Sequence, residues 1–330
     1  MNRRRSLWVL LVLTVALLGA LLLSLGVGSY ARGFADLPAL LLGAGDGLER
    51  TVLLELRLPR ALSAMIVGGQ LALAGVLMQA LLRNPLADPY VLGVSGGASV
   101  AALVTLMVGL GGFWVSLAAF SGAMLNVVLV FGLVGGLSAQ QAGSWTAGRL
   151  LLTGVVVASG WGAVVSFLLA VSDGQVLKGM LFWLMGDFSH VPLPGWNLWV
   201  LVAGLLVALA LARPLNLLVR GQLQAQALGV NVGPLKLVLF LITSLLTASA
   251  VTQAGSIGFL GLVVPHMLRL PIGSDHRWLI PASVLGGALL LLLADTLART
   301  MIAPQQLPVG VITAFLGVPL FLWLLNRRQG

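Results

Sequence analysis

Long stretches without a charged residue alternate with short polar segments along almost the whole chain. The charge-free stretches lie at residues 6–31, 61–82, 89–148, 188–212, 237–268 and 300–326. A helix rises about 1.5 Å per residue and the hydrocarbon core of a bilayer is about 30 Å thick, so about 20 apolar residues cross it.

In that unit the pattern predicts ten spans, at residues 7–28, 59–82, 90–110, 114–137, 149–170, 194–212, 235–254, 257–270, 278–298 and 307–325. The sequence therefore predicts an all-α, polytopic integral membrane protein with one transmembrane domain over residues 1–330.

Residues that favour turns separate the predicted spans, for example Asn84-Pro85, Ser172-Asp173-Gly174 and Arg213-Pro214. Irregular backbone of this kind is not tolerated in contact with lipid. The eighth span is short, because residues 257–270 reach only about 21 Å as a helix. A short helix after a glycine-rich break either lines a transport pathway or is a tilted, half-buried packing helix, and the sequence leaves both open.

The composition excludes several classes of protein. Hydrophobic residues make up 59% of the chain and charged residues 8%, with a mean hydropathy of +1.07. Soluble chains carry about 25% charged residues. Cysteine is absent from the sequence, which excludes disulfides, thiolate metal sites and a thiol nucleophile. The high hydrophobic content and the low charged content exclude a water-soluble enzyme.

The charged residues are divided unequally between the two faces that ten spans create. The face that holds both termini carries twelve basic and two acidic residues, a net charge of +10. The opposite face carries six basic and seven acidic residues, a net charge of −1, and together they give the +9 of the chain. Cytoplasmic loops carry the excess of lysine and arginine. We therefore expect both termini in the cytoplasm, and the basic charge requires no nucleic-acid partner.

No arrangement of residues typical of an enzyme occurs. The sequence has no HExxH motif, no cluster of metal ligands and no paired carboxylates within a span. The deepest acid, Asp295, has Arg299 four residues later, the spacing at which helical side chains pair, so a proton relay has little support.

The chain also has no GxxxxGK[ST] phosphate loop. If ATP drives transport, ATP and Mg²⁺ must bind to a separate ATPase subunit. Two functions remain open at this point: a permease driven by a separate ATPase, and an ion-coupled secondary transporter of the inverted-repeat type.

The longest cytoplasmic loop, residues 213–234, is the best candidate for docking an ATPase subunit. Residues 221–228 are rich in Gln and Ala and precede Gly229, and glycine often ends helices because it adopts a left-handed backbone readily. The pattern predicts a short helix that lies against a partner. An ordinary amphipathic surface helix would have the same composition.

Five longer motifs follow one another along the chain. They are RLPRALSAMIVGGQLALAGVLMQALLRNPLADPYVLGVSGGA at 57–98, ALGVNV at 227–232, GSIGFLGLVVPHMLRLPIGSDHRWLIP at 255–281, ADTLAR at 294–299 and LPVGVITAFLGVPLFLWLL at 307–325. In these motifs the chain resembles the FecCD family, the permease subunits of ATP-binding-cassette importers for ferric siderophores, haem and vitamin B12. The resemblance covers nearly the whole chain from residue 57 onward.

The resemblance implies an assembly and a location. It implies ten helices per subunit and a homodimer with the pathway at its two-fold axis. Two cytoplasmic ATPase subunits and a periplasmic substrate-binding protein complete the importer. The chain is then a transporter subunit rather than an enzyme, embedded in the lipid of the bacterial inner membrane, with no cofactor of its own.

The resemblance also implies roles for particular residues. The family's docking arginines match Arg57, Arg60 and Arg299, and a guanidinium at an exposed rim suits the carboxylates of a transiently bound protein. Headgroup anchoring of Arg57 and Arg60, or pairing of Arg299 with Asp295, is the alternative. The family's coupling helix, which sits in a cleft of the ATPase, matches Gln222, Gln224, Ala227, Leu228, Gly229 and Val230.

The family's cytoplasmic gate matches Thr146, Ala147 and Gly148. The vitamin B12 branch carries hydroxyl groups at all three positions and this chain keeps only Thr146, which predicts a wider or differently lined constriction. The implied cargo is a metal chelate, without a choice among ferric siderophore, haem and cobalamin. The candidates for lining the pathway are Met78, Gln79, Trp161 and Phe182.

Overall fold

The computed structural model of the chain describes residues 3–27, 47–135, 146–189 and 195–326, and these residues are almost entirely helical. The helices are α1 (Arg3–Gly26), α2 (Gly47–Thr51), α3 (Leu58–Leu82), α4 (Val94–Met107), α5 (Gly112–Leu133), α6 (Ala147–Val171), α7 (Gly174–Met185), α8 (Trp196–Ala210), α9 (Ala212–Leu218), α10 (Gln222–Ala227), α11 (Val232–Ala254), α12 (Leu260–Ile272), α13 (His276–Thr300) and α14 (Val309–Asn326). A π-helical segment, Val52–Arg57, joins α2 to α3, and a 3₁₀ turn, Pro89–Leu92, precedes α4.

Each predicted span corresponds to one of these helices. Six are long and apolar enough to cross a membrane, namely α1, the continuous helix Val52–Leu82, α5, α6, α11 and α13. The pair α8 and α9, bent by 62°, forms a seventh, while α4, α12 and α14 are shorter apolar helices. The span ends predicted at residues 28, 136–137 and 194 lie outside the described residues. The prediction of an all-α polytopic membrane protein is confirmed.

The third span begins later than predicted, at Val94 instead of residue 90. The Asp88 carboxylate accepts the backbone N–H of Tyr90 at 2.8 Å and caps a 3₁₀ turn instead of an α-helix. Gly93 then takes a left-handed conformation, with φ of 74°, and α4 starts after it. Local capping therefore shortens this span by one turn.

Two further differences lie in the second half of the chain. The predicted span 194–212 ends at Ala210, and α9 continues at an angle because Pro214 has no N–H to donate to the Ala210 carbonyl. Residues 174–185, predicted as part of an outer connection, form helix α7. Twelve residues are too few to span the bilayer, so the span pattern alone could not reveal this helix.

The centre of the bundle is the antiparallel pair α3 and α13. Nearly every residue of α3 is buried. The two helices approach most closely where Gly68 meets Gly287, and a Cβ atom added to either glycine would lie 2.2 Å from the backbone oxygen of the other. Small residues allow helices to approach this closely in lipid.

Helix α12 is a packing helix against α3 and α13. It has only 13 residues, and most of its side chains are buried. Pro265 has no N–H to donate to the Gly261 carbonyl one turn earlier. The Gln79 side chain of α3 donates its Nε2–H to that carbonyl at 3.2 Å instead.

The candidate pathway residues have different environments. Met78 and Gln79 are buried between α3 and its neighbours. The indole of Trp161 donates to Asn126 Oδ1 at 2.7 Å, and Asn126 donates to the Leu92 carbonyl at 2.8 Å. Within a single chain, Met78 and Gln79 therefore stabilise the helix core rather than line an open space.

Candidate functional site

The last residues of α1, the first turn of α3 and the last turns of α13 meet around one buried carboxylate. Asp295 of α13 is fully buried, and Arg60 of α3 holds it with Nε at 2.9 and 3.1 Å from the two carboxylate oxygens and Nη2 at 2.8 Å from Oδ1. Arg60 follows Pro59 in the first turn of α3, where the close α3–α13 packing brings it to Asp295. The arrangement is a two-pronged guanidinium–carboxylate pair, the strongest form of ion pair.

Arg299 and Arg57 complete this group through α1. Arg299 Nε lies 3.4 Å from Asp295 Oδ2, and its Nη2 donates to the carbonyl and the hydroxyl of Ser24, both at 2.9 Å. Arg57 Nη1 donates to the Leu25 carbonyl at 2.8 Å. We call Arg57, Arg60, Asp295 and Arg299 the outer arginine cluster, because the charge pattern predicts that they lie on the face opposite the cytoplasm. It brings together the three arginines predicted for docking, and the alternative Arg299–Asp295 pair is also present.

Gln306 joins the cluster from the connection between α13 and α14. Its Oε1 accepts a hydrogen bond from Arg60 Nη1 at 2.7 Å and lies 3.3 Å from the Ser189 hydroxyl, which donates to Asp187 at 2.6 Å. Gln306 itself is exposed. Sequence reasoning missed Gln306 and the Arg60–Asp295 pair, because these contacts join positions 246 and 235 residues apart.

The coupling segment, Gln222–Val230, forms the short helix predicted from its composition. Gly229, two residues after the last residue of α10, has a left-handed backbone with φ of 84°. The Val230 N–H donates to the Ala225 carbonyl and the Gly229 N–H to the Gln226 carbonyl, both at 2.9 Å. This pair of bonds is the Schellman motif, which requires a left-handed residue at Gly229. The predicted helix stop is therefore confirmed.

One side of the coupling segment is apolar and open. Ala225 is buried against the bundle, while Leu223 and Leu228 are 82% and 66% exposed. A cavity of about 270 Å³ lies beside Leu228. Its lining residues are Leu217, Arg220, Gln224, Ala227 and Leu228. The predicted docking loop 213–234 contains Arg220 and Leu223, but sequence reasoning did not single them out; a single leucine within a Gln- and Ala-rich helix was the available signal.

The helix before the coupling segment is fixed to α13 by polar contacts. Asn216 of α9 donates to Asp275 Oδ1 at 2.8 Å, and its own Oδ1 accepts the backbone N–H of His276 at 2.9 Å. Asp275 also accepts hydrogen bonds from the Arg277 guanidinium. Those bonds, with a smaller contribution from Asn216, lower the pKa of Asp275 to about 2, so it is a carboxylate at neutral pH.

The predicted gate residues lie at the beginning of α6. The Thr146 hydroxyl accepts the backbone N–H of Arg149 at 3.3 Å and caps the helix, while Ala147 and Gly148 form its first turn. Thr146 and Gly148 are exposed, and Ala147 is half-buried. The hydroxyl that this chain keeps thus has a local structural role at the position where the constriction is predicted.

Comparison with known proteins identifies the family of the chain. A profile of the FecCD transport family matches residues 15–327. The chain belongs to the FecCD transport family. Its members are permease subunits of ATP-binding-cassette importers, so this FecCD permease is an integral membrane transporter subunit and not an enzyme. It therefore works with an ATPase and a substrate-binding protein, and the first of the two functions left open by the sequence is confirmed.

Similar proteins cover almost the whole FecCD permease. The hemin transport system permease protein HmuU of Yersinia pestis is 42% identical over 84% of this chain and 83% of its own. The vitamin B12 import system permease protein BtuC of Serratia proteamaculans is 41% identical over 83% and 81%. A solved structure of a metal-chelate type ABC transporter in an inward-facing conformation covers 96% of this chain and 98% of that chain, at 31% identity and a TM-score of 0.84.

Proposed function

We propose that this FecCD permease imports a bulky metal chelate, of the ferric siderophore, haem or cobalamin class, from a periplasmic binding protein into the cytoplasm. The observation that carries the proposal is its nearly equal identity, 42% and 41%, to a hemin permease and a vitamin B12 permease. Both named cargoes are large organic rings that hold a metal ion. The metal ion is cargo here, and the chain itself binds no cofactor.

The test is ATP-dependent uptake in proteoliposomes that contain the permease with its ATPase and binding protein. Labelled cobalamin, haem and a ferric siderophore are offered separately. Uptake of one cargo that requires ATP would support both the class and the substrate. Uptake of none with ATP, together with uptake driven by a proton gradient, would contradict the proposal.

The working unit we propose is a homodimer, with the pathway at the two-fold axis and lipid around it. Helix α6 supports this arrangement, because Leu150 and Gly154 are its only buried residues within the described chain. A second copy would cover part of this apolar surface. We further propose that the whole chain forms one transmembrane domain with the coupling loop at residues 213–234. Both termini then lie in the cytoplasm, in accord with the charge asymmetry.

The outer arginine cluster is the proposed docking site for carboxylates of the binding protein. It holds three guanidinium groups and one carboxylate, so it has a net positive charge. Arg60 and Arg299 are mostly buried, with side chains 10% and 11% exposed. An incoming carboxylate therefore has to share or replace the contacts of both arginines with Asp295, and the contact of Arg60 with Gln306. Arg57, by contrast, is half-buried.

Replacement of Arg57 by glutamate is expected to weaken association of the binding protein by roughly tenfold at low salt, with a smaller difference at high salt. The measurement is the dissociation constant of the loaded binding protein on the reconstituted complex at two salt concentrations. Arg50→Glu makes the same charge change at an exposed position seven residues earlier and serves as the control. Equal losses for both variants would point to general charge repulsion and contradict docking at Arg57.

The coupling segment is the proposed contact with the ATPase subunit, which binds ATP and Mg²⁺. Its exposed leucines would lose their contact with water on entering a cleft of a soluble partner, and this burial would favour binding. The gate we propose forms where Thr146, Ala147 and Gly148 of two copies meet near the axis. The single hydroxyl per chain would leave that constriction less polar than three would.

Replacement of Leu223 by aspartate is expected to reduce retention of the ATPase subunit. Burial of a leucine side chain at an interface contributes about 1.5–3 kcal/mol, so the affinity should fall by roughly tenfold to a hundredfold. The measurement is the amount of ATPase that co-purifies with the permease in detergent. Leu223→Met keeps the volume and the apolar character and should retain it. Normal retention with Leu223→Asp would exclude this leucine from the contact.

A further inference from the structure

One side chain joins the helix before the coupling segment to the inner end of α13. Asn216 Oδ1 accepts two hydrogen bonds from His276, from the backbone N–H at 2.9 Å and from Nδ1 at 2.7 Å, while its Nδ2 donates to Asp275 Oδ1 at 2.8 Å. The first N–H groups of a helix have no partner within the helix. Asn216 therefore caps α13 from a different helix, with both ends of its amide in use.

Helix α9 is tightly connected to the coupling helix α10, which comes after it in the chain. Only residues 219–221 separate α9 from α10, and they form hydrogen-bonded turns from Arg220 to Leu217 and from Gly221 to Leu218, both at 3.1 Å. Ala225, the buried residue of α10, belongs to the same core cluster as Leu215 and Leu218 of α9. A displacement of α10 therefore moves α9, and with it Asn216.

Helix α13 connects this point to the outer arginine cluster. His276 and Asp295 are 19 residues apart on one continuous helix, a distance of about 28 Å along the axis. The middle of α13 is held against α3 at the Gly68–Gly287 contact. Helix α3 carries Arg60, and Arg57 directly precedes it. One tightly packed pair of helices thus has Asn216 at its inner end and the proposed docking arginines at its outer end.

We propose that Asn216 is a positioning residue that makes α13 follow the coupling helix, and so links the ATPase face of the permease to the binding-protein face. This inference rests on the proposed function. A second connection exists through the chain itself, because residues 228–231 lead from α10 directly into α11. The experiment has to separate these two routes.

The test uses the complete complex in lipid and measures the ratio of the ATPase rate with loaded binding protein to the rate without it. Asn216→Leu removes all three hydrogen bonds, and the ratio is expected to fall about fivefold or more, the lower range of coupling between distant sites. Asn216→Asp keeps the acceptor for His276 but places a second carboxylate against Asp275, so the ratio is expected to fall as well. Co-purification of the ATPase subunit shows whether each variant still assembles.

The paired exchange is the decisive variant. Asn216→Asp combined with Asp275→Asn reverses donor and acceptor between the two positions, and the asparagine at position 275 can still cap α13. The ratio is expected to return towards the wild-type value. Asp275→Asn alone controls for the loss of the Arg277 ion pair, which is exposed and contributes little.

The outcomes separate the inference from the function on which it rests. A wild-type ratio in both Asn216→Leu and Asn216→Asp would overturn the role of Asn216 and leave the route through α11. Failure of the paired exchange to recover the ratio, with a normal ratio for Asp275→Asn alone, would overturn it too. A wild-type complex that the binding protein does not stimulate would instead refute the proposed function, and the inference with it.

Discussion

Replacement of Asp295 by asparagine is expected to destabilise the permease more than any other single change at its outer face. The carboxylate is fully buried and faces two guanidinium groups, Arg60 at 2.8 Å and Arg299 at 3.4 Å. The variant leaves both positive charges buried without their counter-ion. Removal of one partner from a buried ion pair costs about 3–5 kcal/mol. The measurement is the thermal denaturation of the purified protein in detergent.

Asp173→Asn is the matched control for this prediction. Asp173 precedes α7, its side chain makes no capping hydrogen bond, and it is exposed. Asparagine is as good a cap as aspartate, so the stability should be unchanged. The double variant Asp295→Leu with Arg60→Met should be less destabilised than the sum of its single changes, because the unpaired charge at Arg60 is removed as well. Equal stability of Asp295→Asn and the wild type would show that Asp295 does not hold the cluster.

Replacement of Gly68 by alanine is expected to force α3 and α13 apart. The added Cβ would lie 2.2 Å from the Gly287 backbone oxygen and 2.9 Å from Leu291 Cβ, and a backbone atom cannot move aside without moving its helix. Overpacking of this kind costs roughly 1–3 kcal/mol or more. Because α3 and α13 carry two of the proposed docking arginines, Arg60 and Arg299, the affinity for the binding protein should fall together with the stability.

Gly19→Ala is the corresponding control on α1, where an added Cβ meets nothing within 4 Å. In a helix, alanine is more favourable than glycine by about 0.5–1 kcal/mol, so this variant should be neutral or slightly more stable. Only the Gly68→Ala substitution is thus expected to lower the stability. A Gly68→Ala protein as stable as the wild type would mean that the two helices can separate at no cost.

The helical spans were predictable from the sequence because span length and charge exclusion act on each segment separately. The spans and the helix stop at Gly229 both depend on local chemistry. The late start of α4 and the bend before α9 also have local causes, the cap at Asp88 and the missing N–H of Pro214.

The site was less predictable, because its important contacts join distant parts of the chain. The positions of Arg57, Arg60 and Arg299 followed from motifs, and the Asp295–Arg299 pair followed from helical spacing. The Arg60–Asp295 pair and the Gln306 contact depend on how α3 and α13 pack, which no spacing encodes. Asn216 is a similar case, since a polar residue between leucines in a short helix gives no sign of the helix that it caps.

The hydrogen bond from Gln79 to the Gly261 carbonyl has a consequence for biogenesis. Helix α12 has 13 residues, about 20 Å by the helical rise, and Pro265 leaves a carbonyl unpaired in its first turn. An unpaired carbonyl in hydrocarbon costs several kcal/mol, so α12 is not a segment that partitions into lipid alone. The donor to this carbonyl, Gln79, lies 182 residues earlier in the chain. Its helix, α3, is synthesised before α12 and can already be in the bilayer when α12 inserts. The order of synthesis therefore lets α12 insert against α3 as a completed helix.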